Sequence, residues 1–309
     1  MKEILLFWDI VDLLSIEKID SFGNSVFSIT CLEQKYILKE HKNNEKVEKE
    51  SILLSRLQEK IPIAAPIKSK DNKYYVEYND KFYVLYPFLE GSSFSDHYSP
   101  KYKEQASALG KAIGILHSEL YKIDFKECKT FDLINDVLSW AKGIIEENSE
   151  HFDLNSIFEI LDQYERDFKP IYKLLPKQII HRDIHPGNML FNGYELTGIV
   201  DFELSVKGIR VFDPAYCSTS ILISTFDNED KRSLWKDILF EILSAYNKIN
   251  QLTEEERIGF IYVLYSIHVI FIAFCCTVNN IDAAKCNERA LKWLYKNQGM
   301  INKCISTIA

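Results

Sequence analysis

Glycine and proline are scarce, 11 and 8 in 309 residues, which excludes collagen-like, linker-rich and low-complexity architectures. Among the seven cysteines, Cys31, Cys128, Cys217, Cys275, Cys276, Cys286 and Cys304, no Cys-x-x-Cys pair or Cys/His metal spacing occurs. An odd, unpatterned set reads as reduced, mostly buried thiols of a cytoplasmic protein. Gly-x-x-x-x-Gly-Lys-Ser/Thr and Gly-x-Gly-x-x-Gly are both missing, which removes the P-loop and Rossmann routes to a nucleotide. Basic charge is in deficit, with 37 Lys and Arg against 45 Asp and Glu for a net charge of −8. That balance argues against nucleic acid as the main partner, because phosphate backbones are bound chiefly through Lys and Arg. The opening MKEILLFWDIVD has one Lys, a short apolar run broken by Asp9 and no small-residue cleavage site, so no signal peptide is expected.

Charge is absent altogether from Ile258 to Ile281, a run long enough to suggest a membrane span. It contains Ser266, His268, Cys275 and Cys276, and no basic cluster flanks it to set an orientation. The expectation is a buried C-terminal helix, apolar all round because it lies inside a large core, and no membrane.

What is present is apolar mass, 47% hydrophobic and 13% aromatic residues, enough to bury a sizeable core and exclude disorder over most of the chain. The length is past the size at which one core stops growing, so two lobes are expected. Residues 20–90 read as strands at Val26–Thr30, Lys35–Lys39, Lys73–Tyr78 and Lys81–Pro87, the last two joined by the turn-like Asn79-Asp80. Between them, 43–58 carries the spacing of one amphipathic helix. After Leu89-Glu90-Gly91 helical patterns follow at 100–120, 131–149, 155–175, 229–250, 254–278 and 283–298, and Thr253-Glu254-Glu255-Glu256 is a capping box. The stretch 178–216 reads as strand-like. The expected fold class is α+β, with a small β-rich N-terminal lobe (1–90) and a larger, mainly helical C-terminal lobe (91–309).

The chemistry concentrates in Ile180-His181-Arg182-Asp183-Ile184-His185-Pro186-Gly187-Asn188, followed by Ile199-Val200-Asp201-Phe202-Glu203. Phosphoryl transfer needs these types: a carboxylate to orient and deprotonate a hydroxyl, and an Asn and a second carboxylate as oxygen ligands for Mg2+. His-Arg-Asp-x-x-x-x-Asn with a downstream Asp-Phe is the spacing of a kinase catalytic loop and metal-binding strand. Tyr36-Ile37-Leu38-Lys39 ends a strand in a cation suited to nucleotide phosphates, and Glu50 on the next helix is the expected partner of Lys39, with Glu45 and Glu48 as competitors. Gly23, Asn24 and Ser25 form the turn expected to cover the phosphates.

Together these residues resemble the aminoglycoside phosphotransferase and choline kinase-like family, protein-kinase-like enzymes that phosphorylate small-molecule hydroxyls. The resemblance runs over about residues 20–220 and implies a bilobal protein-kinase-like fold using ATP or GTP with Mg2+. It implies Asp183 as catalytic base, Asn188 and Asp201 as metal ligands, and Lys39 with Glu50 as the ion pair on the nucleotide. Tyr83 to Gly91, including Tyr86 and Phe88, is implied as the hinge receiving adenine. Leu109-Gly110 and Leu116-His117 match the helix before the catalytic region, and Asp213 matches an Asp that braces the loop. His181 is expected to pack the loop; His185 and Glu203 are candidate acceptor contacts, while Trp140 is expected in the core. Glu203 replaces the Gly of Asp-Phe-Gly and no Ala-Pro-Glu follows, which sets the chain apart from eukaryotic protein kinases. The acceptor implied is a small-molecule hydroxyl of aminoglycoside, amino-alcohol, homoserine or sugar type. A bacterial protein Ser/Thr kinase and a pseudokinase binding module are the alternatives.

Overall fold

A computed structural model describes residues 1–19 and 25–308; the expected phosphate-covering residues Gly23 and Asn24 lie outside them. The strands in chain order are β1 (Leu13–Ile19), β2 (Val26–Cys31), β3 (Lys35–His41), β4 (Val76–Tyr78), β5 (Lys81–Pro87), β6 (Lys177–Ile180), β7 (Met189–Asn192), β8 (Glu195–Ile199) and β9 (Val206–Ile209). The chain divides into two compact units.

The first unit comprises Met1–Ser93, Ile123–Cys128 and Asn188–Ser205. Its antiparallel sheet has the order β1-β2-β3-β5-β4. Asn79 and Asp80 both take positive φ, 52° and 59°, as a two-residue hairpin turn needs to match strand twist. The strand β1 was not legible in the sequence: its exposure shows no alternation, so it lacks the period-2 signal. Helix α1 (Asn44–Leu57) starts where the Asn43 side chain accepts the Glu45 and Lys46 amides, and it buries Val47, Glu50, Ser51, Leu53, Leu54 and Leu57. The β7–β8 hairpin holds the segment after β5 through reciprocal Ser92 and Phe191 backbone bonds of 3.0 and 2.9 Å. Gly91 sits there at φ 129°, where a Cβ would stand 2.2 Å from Thr197 Oγ1, so only glycine fits.

The second unit comprises Phe94–Lys122, Lys129–Gly187 and Val206–Ala309. It is built on α2 (Tyr102–Leu120), α3 (Leu154–Gln163), α4 (Phe212–Ser224), α5 (Glu229–Asn247), α6 (Glu254–Thr277), α7 (Ile281–Lys296) and α8 (Gln298–Ser306), with β6 and β9 paired antiparallel. The uncharged run supplies most of α6, which is long and apolar enough to cross a membrane but mostly buried inside this unit. Its capping box is present, and the buried Glu256 also takes a forked 2.7 Å pair from Arg210.

Two helical expectations are broken rather than continuous. Asp136–Ala141 and Tyr164–Phe168 are π-helical, a wider winding that sequence periodicity does not announce. The strand-like reading of 178–216 stops too late, because α4 begins at Phe212. Trp140, expected in the core, is 40% exposed on the first π-helix.

Candidate active site

In the second unit, the antiparallel β6–β9 pair leads the chain into His181-Arg182-Asp183. Arg182 takes φ 69°, a left-handed conformation that a long side chain rarely adopts. The turn is held by Asp213 in the first turn of α4: its Oδ2 accepts the His181 amide and its Oδ1 the Arg182 amide, both at 2.8 Å. Asp213 is fully buried. Its Oδ2 also lies 2.8 Å from His117 Nε2 on α2, and His117 Nδ1 lies 2.9 Å from Tyr246 Oη on α5. With Nε2 protonated, the carboxylate receives three donors and the ring accepts the Tyr246 hydroxyl proton, so each group in this buried chain has a partner.

Asp183, half-buried, follows the turn. Its amide donates to His181 Nδ1 at 3.3 Å, which fixes fully buried His181 as part of the loop. Asp183 Oδ1 accepts the Tyr216 hydroxyl at 2.8 Å. The Tyr216 ring is stacked between Phe212, with centroids 6.0 Å apart, and Phe271, 5.8 Å apart. Burial, then the Asp183 charge, raises the Tyr216 pKa, so the hydroxyl stays protonated and donates. The expected acceptor contact His185 spends Nδ1 on the Gly187 amide, 3.1 Å away, and so shapes the loop. The guanidinium of Arg182 lies over the Phe131 ring at 4.1 Å and 3.6 Å from Asp136 Oδ2.

In the first unit, buried Asn188 is tied to the strand before Asp201, the Val200 amide donating to its carbonyl at 3.0 Å. Asp201 takes φ 69°. Lys39 Nζ stands 2.6 Å from Asp201 Oδ1 and 3.7 Å from Glu203 Oε2, and Lys46 adds a 3.6 Å contact to Glu203. Glu203 therefore belongs with the Lys39 group. Burial works against the Lys39 ammonium, but the charges of Glu50, Asp201 and Glu203 outweigh it and hold its pKa above the ordinary lysine value.

Glu50, expected as the direct partner of Lys39, forms no ion pair with it within 4.0 Å among the described residues; it accepts the Phe202 amide instead and influences Lys39 through charge. Its Oε2 is buried without a hydrogen bond among the described residues. Burial pushes its pKa up to about 7 despite Lys39. His41, beyond Lys39 on β3, is buried and pulled down to about 4 by burial and by Lys39.

In the expected hinge, buried Tyr86 pairs in register with Ile37, and the Phe88 amide donates to Lys35 O at 3.2 Å. The Ser25 carbonyl accepts the Glu40 amide at 2.8 Å. Sequence reasoning missed Tyr216, Tyr246 and Asp136. Tyr216 lies three residues after Asp213, one turn along the same helix face, and recognising α4 would have exposed it.

The model of the phosphotransferase enzyme family matches residues 15–242. The chain belongs to that family. Among phosphotransferase relatives, the homoserine kinase of Zymomonas mobilis is 29% identical over 267 residues, 84% of this chain and 80% of that protein. The solved structure of amicoumacin kinase with AMP-PNP, Ca2+ and Ami superposes with a TM-score of 0.71 at 16% identity, covering 98% of this chain and 92% of that one. A GDP complex of an aminoglycoside 2′-phosphotransferase variant gives 0.72 at 16% identity, covering 97% and 98%. These likenesses show a kinase-like fold.

Proposed function

We propose that this phosphotransferase uses ATP and Mg2+ to phosphorylate the hydroxyl of a small molecule, of homoserine, amino-alcohol, aminoglycoside or sugar type. Homoserine stands first, because the homoserine kinase of Zymomonas mobilis aligns over 84% of this chain. The observation that carries the reading is the 2.6 Å contact between Lys39 and Asp201 across 162 residues of sequence. It sets a strand-borne cation against a carboxylate of the kind that holds a metal on nucleotide phosphates.

The donor set fits Mg2+: the Asn188 amide oxygen and the Asp201 carboxylate are hard oxygen ligands, and Asp201 is 43% exposed. The ion, when bound, neutralises charge on the β and γ phosphates. Lys39 binds the phosphates under the field of Glu50, Gly23, Asn24 and Ser25 cover them, and the edge with Tyr86 and Phe88 receives the base. Asp183 accepts the hydroxyl proton as the acceptor oxygen bonds to the γ-phosphorus and the bond to ADP breaks. His181 and Asp213 keep its loop in shape. In this reading residues 1–90, with Asn188 and Asp201, serve the nucleotide, and the rest of 91–309 serves the acceptor and catalysis.

The test is acceptor-stimulated ADP release across a panel of amino alcohols, aminoglycosides and sugars. Asp183→Asn is expected to lower kcat by about 1,000-fold or more while keeping the melting-temperature rise with Mg·ATP. Wild-type turnover in that variant sinks the assignment of the base.

A further inference from the structure

The group around Asp183 contains one cation the phosphoryl-transfer reading leaves without work. Arg182 and Asp136 are about one-third exposed and 3.6 Å apart at their closest charged atoms. That is an ion pair, but longer than a hydrogen bond. The guanidinium also lies over the Phe131 ring face, at 4.1 Å, and among the described residues it donates no hydrogen bond. A guanidinium carries five donors in a planar fork, and at about one-third exposure this one is open to a ligand.

Ordinary surface ion pairs sit on mobile side chains and contribute little, and this pair differs in how it is mounted. Arg182 immediately precedes Asp183, and its left-handed peptide is held by Asp213 through the bond to its own amide. Asp136 opens the π-helical turn Asp136–Ala141, a winding often found at functional sites. The groups facing Arg182 are Asp136, Asp183 and Tyr216. A positive fork thus faces both the candidate base and the Asp136 carboxylate.

The chemistry of the pair discriminates between acceptors. A guanidinium beside the reacting hydroxyl repels polycations and quaternary ammonium groups and matches a carboxylate in bidentate geometry. The neighbouring carboxylate matches an ammonium group. We propose that Arg182 and Asp136 form a zwitterion subsite, Arg182 taking the carboxylate and Asp136 the ammonium of a small hydroxy amino acid whose side-chain hydroxyl meets Asp183. The proposal rests on the reading of Asp183 as base.

The experiment compares L-homoserine with 3-aminopropanol, which lacks the carboxylate, and 4-hydroxybutyrate, which lacks the ammonium, using the full chain. Wild type is expected to favour homoserine over either by about 100-fold in kcat/KM, since unpaired polar groups in a built site reject the truncated acceptor. Arg182→Asn, chosen because Asn tolerates the left-handed region, is expected to erase the preference over 3-aminopropanol, read as the ratio of the two kcat/KM values within the variant. Asp136→Asn is expected to erase the preference over 4-hydroxybutyrate. The Mg·ATP melting shift identifies folded variants, and Arg182→Lys, keeping charge but losing the fork, serves as the second probe if Arg182→Asn is unfolded. Unchanged preferences in folded Arg182 and Asp136 variants overturn the subsite. So does a wild type that prefers an aminoglycoside or choline, which leaves the base standing. Full turnover by Asp183→Asn instead removes the underlying reading.

Discussion

Tyr216 Oη lies 2.8 Å from Asp183 Oδ1, on a ring stacked between Phe212 and Phe271. The stack removes the rotamer freedom of the tyrosine, so the hydroxyl acts as a fixed donor that sets the plane of the carboxylate. Tyr216→Phe keeps the stack and deletes the donor. The expected result is a kcat lower by about 10-fold, matching one hydrogen bond to a charged group, with the KM for ATP unchanged. Steady-state kinetics with ATP and acceptor varied separately check it; an equal fall in both nucleotide and acceptor terms would point to general loosening instead.

Glu50 makes the stability of the nucleotide-free protein depend on pH. Burial raises its pKa from the ordinary 4.5 to about 7, so between those values the folded chain holds a proton that the unfolded chain has released. Stability from this group is full below about pH 4.5 and falls as pH rises to about 7. His41, lowered from 6.5 to about 4, acts the other way, since the unfolded chain binds its proton more readily in that interval. Comparing Glu50→Gln with wild type cancels the His41 contribution. Urea unfolding without Mg2+ is expected to show a gap in favour of Gln that widens from pH 4.5 to 7 and then stays constant; a gap equal at pH 5 and pH 8 contradicts it.

Lys39 is the shared counter-ion of Asp201 and Glu203. Lys39→Met leaves two carboxylates without that ammonium, so Mg2+ alone, with no nucleotide, is expected to raise the melting temperature of the variant more than that of wild type. At the same time kcat/KM for ATP is expected to fall by about 100-fold or more, as for other groups that stabilise transferring phosphoryl charge. Differential scanning over a MgCl2 titration, beside initial rates, measures both. A smaller Mg2+ response in the variant would mean that Asp201 is not a Mg2+ ligand.

The sequence-legible part of this molecule is the part written in local chemistry. The His181 to Asn188 run, the Asp201 strand and Lys39 stand at fixed spacings, and the capping box and hairpin turn announce their own geometry. Pairings fixed by packing were less visible. Glu50 was expected on Lys39 because both have the right charge, yet the Phe202 amide competes for it, a donor that no side-chain pattern records. Tyr216 stayed hidden because α4 is buried on nearly every side, so no apolar stripe marks its helical period. Arg182 and Asp136 lie 46 residues apart in sequence, one on a left-handed turn and the other opening a π-helical turn, and no local pattern links them.

Asp213 receives the amides of His181 and Arg182 while its other contact runs through His117 to Tyr246 in the helical core. Those two amides therefore cannot reach solvent by fraying of a surface loop. Their hydrogen exchange should proceed at the pace of the α2–α5 interior, making the loop that carries Asp183 one of the slowest-opening segments of a unit whose ligands must still come and go.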